Sequence, residues 1–325
     1  MSNVPPSEHV RAAVARVHET DTSALQRADA LSEIALDLQK QPRDPQALHD
    51  ALYLYAQALE LAADEPVAVA RLRAGRGSAR RRMPGSGQDD LLAAREDFAA
   101  ALPVLAEAGS AEEVAELQLS YGLVVHALAQ SGRANLQDAV TAYHAALRTF
   151  TASAYPREFA TLHNNLATAY LSMRLSPEKE GLREAMAVQS FEHALEVVSL
   201  EEDPSEYAML QNNLGNALQA MPSSHRLQNL ARAVEAYDEA LKVRTVRDTP
   251  VEYANTISNK ANALMNLPDD MDDLDKGNPD NLRAAVALLE QASDVFARHH
   301  LPDRAQIVDG IVAELKAELD GQAGA

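Results

Sequence analysis

Apolar residues in this chain recur with the spacing of a helix. Leu210, Leu214, Leu218 and Met221 stand at i, i+4, i+8 and i+11, and Val234, Tyr237 and Leu241 at i, i+3 and i+7, so each set falls on one helix face. No stretch shows the alternation of a strand, and an alanine-rich helical pattern runs almost from end to end. Both patterns repeat. The line Glu206-Tyr-Ala-Met-Leu-Gln-Asn-Asn-Leu-Gly-Asn-Ala-Leu218 returns, altered, at Glu158 to Tyr170 and at Glu252 to Leu264. Its small residue is Ala167, Gly215 or Ala261, and Gly122 and Gly77 hold the same place in weaker copies, giving steps of 45, 45, 48 and 46 residues. A second line, Ala-Val-x-Ala-Tyr-x-x-Ala-Leu, follows at Ala139 to Leu147 and Ala233 to Leu241, with relatives ending at Leu59, Leu102, Leu195 and Ser293. Its aromatic slot holds Tyr55, Phe98, Tyr143, Phe191, Tyr237 and finally Leu289. Self-similarity at this interval predicts about six stacked helix pairs, because one pair cannot bury its apolar face alone.

Start and stop signals agree with that division. Asp203-Pro-Ser-Glu206 and Thr249-Pro-Val-Glu252 each offer a capping side chain, a proline at the first helical position and a glutamate in the first turn. Asn135, Asn229 and Asn281 are expected to cap the second helices. Met83-Pro, Met221-Pro and Leu267-Pro are expected to end first helices, since the residue before proline is pushed out of the helical region. Gly215 and Ala240 stand where bulk would hold two helices apart, with Tyr237 filling the space between.

Asn-Leu-Gly-Asn-Ala-Leu in the first helix and Ala-Val-x-Ala-Tyr-x-x-Ala-Leu in the second resemble the core pattern of the tetratricopeptide repeat family, over roughly Asp44 to Pro302. The usual unit of that family is about 34 residues. Here the extra residues fall in connections such as Pro222 to Gln228 and Leu267 to Pro279, and Gln211 and His163 stand where the family has a large aromatic. The resemblance implies an all-α, right-handed superhelix (α-solenoid) of stacked antiparallel helix pairs. The domain division expected is an N-terminal segment with a capping helix (1–22, helix Glu8 to His18), the repeat domain (23–302), and a C-terminal capping helix and tail (303–325, helix Arg304 to Leu319). That last helix is expected to turn Ile307, Ile311, Val312 and Leu315 inward, and Asp309 and Lys316 outward.

Composition narrows the function. The 325 residues carry a formal charge of -19, which disfavours nucleic acid because phosphate neutralisation needs basic surface. No run is long enough to span a membrane, and Met1 to Pro6 lacks the basic-then-apolar order of a secretory signal, so a cytoplasmic protein is expected. Cysteine is absent, which removes thiolate metal sites. No phosphate-cradling loop, nucleophile elbow or paired zinc-binding histidines are present. The carboxylate run Asp269 to Gly277 lacks the ligand register of a calcium loop, broken by Leu274 and Lys276. No enzyme, cofactor or metal is therefore expected.

Two sets of residues stand out. By the tetratricopeptide resemblance, first helices line a concave groove that holds a polypeptide segment, and the positions that carry over are Asn164, Asn165 and Thr168; Asn212, Asn213 and Asn216; and Ser258, Asn259 and Asn262. Asparagine is a poor helix former, so its clustering mid-helix asks for a reason. Its amide offers donor and acceptor together, suited to another chain's backbone. The other reading is that these amides join neighbouring repeats. The second set is Arg71, Arg73, Arg76, Arg80, Arg81 and Arg82. Arg71, Arg76 and Arg80 are candidates for an anion, or for pairing with local acids such as Glu65, Asp89, Asp90 and Glu96. The function expected is a non-catalytic interaction scaffold, adaptor or assembly chaperone with a protein or peptide partner; extended repeats of this kind occur in bacterial signalling proteins. A ligand- or peptide-responsive regulator whose superhelix changes on binding, and self-association, stay open beside it.

Overall fold

The computed structural model describes residues 4–323 apart from 41, 43, 86, 175–179 and 223–224. All regular structure among them is helical, and the chain forms two compact units, Met1–Thr151 and Ala152–Ala325. The first contains α1 (Glu8–His18), α2 (Ala24–Lys40), α3 (Pro45–Leu61), α4 (Pro66–Arg81), α5 (Gln88–Ala108), α6 (Ala111–Gln130) and α7 (Leu136–Leu147). The second contains α8 (Pro156–Ser172), α9 (Glu180–Leu195), α10 (Pro204–Ala220), α11 (Arg226–Leu241), α12 (Pro250–Leu264), α13 (Pro279–Arg298) and α14 (Pro302–Ala323). In the first unit α2 pairs with α3, α4 with α5 and α6 with α7; in the second α8 pairs with α9, α10 with α11 and α12 with α13. Within each unit successive pairs pack on one another as a stack of helix pairs.

The phase of each pair is set by one contact. A Cβ built on Gly77 would meet the Phe98 ring at 2.8 Å, on Gly122 the Tyr143 ring at 2.5 Å, and on Gly215 the Tyr237 ring at 2.6 Å, so each glycine lets the aromatic of its partner helix seat against bare backbone. In α8 and α12 the same position is Ala167 or Ala261, both wholly buried, and the slot opposite is Phe191 or Leu289. Tyr143 and Tyr237 stand opposite glycine and Phe191 and Leu289 opposite alanine, so in these four pairs the two volumes compensate, as close packing requires.

The tyrosine hydroxyls, buried with their rings, need partners. Tyr55 donates to Gln39 Oε1 at 3.1 Å, Tyr143 lies 3.5 Å from His126 Nδ1, and Tyr237 reaches Gln219 Oε1 at 3.1 Å and Asn216 Oδ1 at 2.8 Å. Counted from the small residues Ala35, Gly122 and Gly215, the partners Gln39, His126 and Gln219 each stand four positions on, one helical turn along the same face. Burial raises the pKa of all three phenols, Tyr55 to about 12.

Proline opens α3, α4, α8, α10, α12, α13 and α14, where its missing N–H costs nothing. The capping side chains expected with two of them do not cap. Asp44 and Ser110, with extended backbone (ψ 170 and 161), accept from first-turn amides, whereas Asp203 and Thr249 have ψ 62 and 60 and make no such bond. Asn135 caps α7 through Gln137 N as expected. Asn229 and Asn281 instead lie inside helices that begin three and two residues before them, at Arg226 and Pro279. Asn281 Nδ2 ties α13 to the preceding connection by donating to Leu267 O and Pro268 O. In α14, Val308, Val312 and Leu315 are buried, while Ile307 is 65% exposed and Asp309 accepts from Ser293 of α13 at 2.6 Å. The inward face of α14 thus keeps the expected Val312 and Leu315, with Ile311 partly buried on the same core, and takes Val308 in place of Ile307.

Candidate functional site

The nine carried-over residues all lie on α8, α10 and α12, the first helices of the second unit, and they divide by what their polar atoms meet. Asn165 Nδ2 donates to Thr161 O at 2.8 Å, Thr168 Oγ1 lies 3.1 Å from Asn164 O and 3.0 Å from Asn165 O, and Ser258 Oγ donates to Ala254 O at 2.8 Å. These bonds stay within their own helix, the usual resort of short polar side chains there. Asn212 is buried; its Oδ1 faces Asn259 Nδ2 at 3.4 Å and Thr256 Oγ1 at 3.2 Å. The amides of Asn212 and Asn259 therefore join α10 to α12, one repeat to the next.

Thr256 completes that junction and was not singled out from sequence. It occupies the position of Leu72, Leu117, Leu162 and Leu210 in the other first helices and is wholly buried like Leu162 and Leu210. Arg244, from the turn after α11, donates to Thr256 Oγ1 at 2.8 Å, and Thr256 Oγ1 lies 2.8 Å from Glu252 O. Burial lowers the pKa of Arg244, and the nearby Glu252 partly offsets this. The legible signal was a hydroxyl in a register otherwise held by leucine.

The remaining amides keep hydrogen-bonding groups open. Asn164 Oδ1 is buried with no hydrogen-bond partner. Asn213 accepts a 3.4 Å contact from Asn212 and Asn216 accepts from Tyr237, which leaves the Nδ2 group of each without a bond among the described residues. Asn262 is exposed. Asn216 and Asn262 share one register, the residue after the small one, and Thr168 is its counterpart on α8.

In the first unit three arginines of α4, namely Arg71, Arg76 and Arg80, are engaged by acids. Arg76 grips Asp97 of α5 through Nε (3.0 Å) and Nη2 (2.5 Å), and Arg80 reaches the same carboxylate at 2.6 Å as well as Ala93 O at 3.2 Å. Asp97 is 4% exposed, so one buried carboxylate serves two guanidiniums. Arg71 forms a two-point bond with Glu113 of α6 at 2.8 and 3.2 Å, a geometry that holds the Glu113 carboxyl below its ordinary pKa. Neither acid was among those named from sequence. Asp97 was legible in retrospect: the residue before the aromatic slot is Leu54, Ala142, Ser190, Ala236 or Leu288 elsewhere, and Arg76 and Arg80 replace the equivalents of Leu214 and Leu218. Three charges thus enter one pair together.

The acidic connection bonds largely to itself. Asp269 accepts from the Asp280 and Asn281 amides at the start of α13, both at 2.8 Å, and Asp270 meets Lys276 at 2.6 Å, the contact that chiefly depresses its pKa. Gly277 turns the chain with φ +68, in the left-handed region. Among the described residues no three His, Asp or Glu side chains converge as metal ligands, and no helix is long and apolar enough to cross a membrane.

No protein-family model matches this chain, and no curated protein does either. Solved structures with similar arrangement include the TPR2AB domain of yeast Sti1 in its Hsp90 complex (17% identity, 90% of this chain and 99% of that one, TM-score 0.30). Another is BtubC from P. vanneervenii (18%, 73% and 92%, TM-score 0.46). A third is a Rap protein complexed with Competence and Sporulation Factor (14%, 98% and 100%, TM-score 0.33).

Proposed function

We propose that the chain is a non-catalytic interaction scaffold, an adaptor or assembly chaperone, which holds an extended polypeptide segment against α8, α10 and α12. The observation that carries this reading is that the Nδ2 groups of Asn213 and Asn216 make no bond among the described residues and Asn262 is exposed, with the unbonded Asn164 Oδ1 on the preceding first helix. An amide that donates and accepts at once matches a peptide unit, and a row of them at the spacing of packed helices, about 10 Å, matches an extended chain at every third residue. Asn212, Thr256 and Asn259 then hold the rows in register rather than touching the partner.

The test uses random twelve-residue peptides displayed on phage, selected on the purified protein and remade as fluorescent probes. Replacing Asn164, Asn213 and Asn262 by Ala should leave the fold intact, since alanine is the better helix former. Each lost contact is worth about 1 kcal/mol, so the probes should bind at least about tenfold more weakly. Unchanged affinity in a folded triple variant, or failure to select any peptide, overturns the proposal.

A further inference from the structure

The polar residue one turn beyond the small position meets a tyrosine hydroxyl in α2, α6 and α10, whereas α4 carries a polar residue there without one. There the small residue is Gly77 and the residue four positions on is Arg81, in register with Gln39, His126 and Gln219. The aromatic of its own pair is Phe98, which has no hydroxyl to offer or accept. Arg81 is nevertheless drawn into the structure: its Nε is buried and makes no hydrogen bond. No carboxylate among the described residues pairs with it, in contrast to Arg71, Arg76 and Arg80. Asp97, on the helix paired with α4, is already shared by two guanidiniums.

The surroundings of Arg81 are polar and incompletely bonded. α4 packs directly on α6 as well as on α5, and Arg81 interacts electrostatically with Tyr143, the aromatic of the following pair. Among the described residues the Tyr143 hydroxyl has the 3.5 Å approach to His126 Nδ1 as its hydrogen-bond contact, a length at the limit of a hydrogen bond. Desolvation, and then the adjacent Arg82, press the Arg81 pKa downward, and desolvation also lowers that of His126. The carbonyl end of α4 contributes a partial negative charge at most. A guanidinium withdrawn from water without an anion is costly, and removing that cost is what a bound anion would do.

We propose that Arg81 is an anion-binding residue of the first unit, taking a carboxylate or phosphate group of a ligand on its guanidinium fork. The planar fork bonds either oxyanion at two points. This site is distinct from Arg71, Arg76 and Arg80, whose forks are occupied, and it does not depend on the peptide-binding reading of the second unit.

Melting of the full chain followed by circular dichroism tests it, in Tris buffer at pH 7.5 and fixed ionic strength, with sodium chloride replaced stepwise by sodium acetate in one arm and sodium phosphate in the other. The wild type should melt about 2 °C or more higher in at least one arm than in chloride, a saturable gain that identifies which oxyanion the site takes. Arg81→Gln should show no gain while keeping Arg76 and Arg80, and in chloride it should melt at or above the wild type. Arg81→Lys, a point charge without the fork, should retain only part of the gain. An equal gain in Arg81→Gln, no gain in the wild type, or an Arg81→Gln protein that is unfolded or melts below the wild type in chloride overturns the assignment, the last by making Arg81 a structural residue.

Discussion

Gly215 shows how far a single residue fixes this fold. Its replacement by alanine would improve intrinsic helix propensity by about 1 kcal/mol, yet the new Cβ would stand 2.6 Å from Tyr237 Cε1 and 2.8 Å from Cζ, a ring held by hydroxyl bonds to Asn216 and Gln219. Overpacking of this kind costs about 1–3 kcal/mol, so Gly215→Ala should be destabilising on balance. Tyr237→Phe frees the ring from both bonds and recreates the Ala167 with Phe191 combination found in α8 and α9. In urea titrations the double variant should therefore lose less stability than the two single variants added together. Strict additivity would mean that the ring does not set the spacing of the pair. This contact was legible in the sequence because both positions recur in phase. The polar residue one turn further on, Gln39, His126 or Gln219, was not, because its chemistry changes from repeat to repeat while its role does not.

At the scale of elements proline was the clearest boundary signal, and it marked the starts of α10 and α12 to the residue. Caps were less legible: a capping residue type says nothing of its ψ angle, and Asp203 and Thr249 carry the right side chains on the wrong backbone. The asparagine stripe was visible as a stripe, but the sequence could not separate amides that face outward from those that face the next repeat. That division depends on how α10 and α12 approach each other, and Thr256 is its centre. Asn212→Ala should cost about 1–3 kcal/mol by leaving the Thr256 hydroxyl and the Asn259 amide short of a partner. Thr256→Val should cost a similar amount, because it strips Arg244 of its acceptor. A double-mutant cycle between them, read by urea denaturation, should give a coupling of about 0.5–3 kcal/mol, as expected for side chains in one network. A coupling of zero would disconnect α10 from α12 at this point.

For the whole molecule the governing quantity is charge. With 48 acidic and 29 basic residues the chain repels itself, while its short ion pairs, such as Arg76 and Arg80 with Asp97, lie within 3 Å and are partly buried. Salt separates the two effects, because the screening length falls from about 30 Å at 0.01 M to about 10 Å at 0.1 M. Long-range repulsion is removed over that range, whereas contacts at hydrogen-bond distance in partly buried sites are hardly touched. Raising sodium chloride from 10 to 100 mM (roughly the span of those screening lengths) at pH 7.5 should therefore stabilise the protein. Each 1 kcal/mol moves the melting temperature by about 2–4 °C in domains of about 150–250 residues, so a rise of roughly 1–3 °C is expected. The Arg81 site sharpens the expectation: chloride should act on wild type and Arg81→Gln alike, since general screening does not depend on one guanidinium. A melting temperature that falls with salt would show that exposed pairs such as Arg232 with Glu192 and Lys242 with Glu239 outweigh the net repulsion, and that the acidic surface is arranged in compensating pairs rather than as a uniform field.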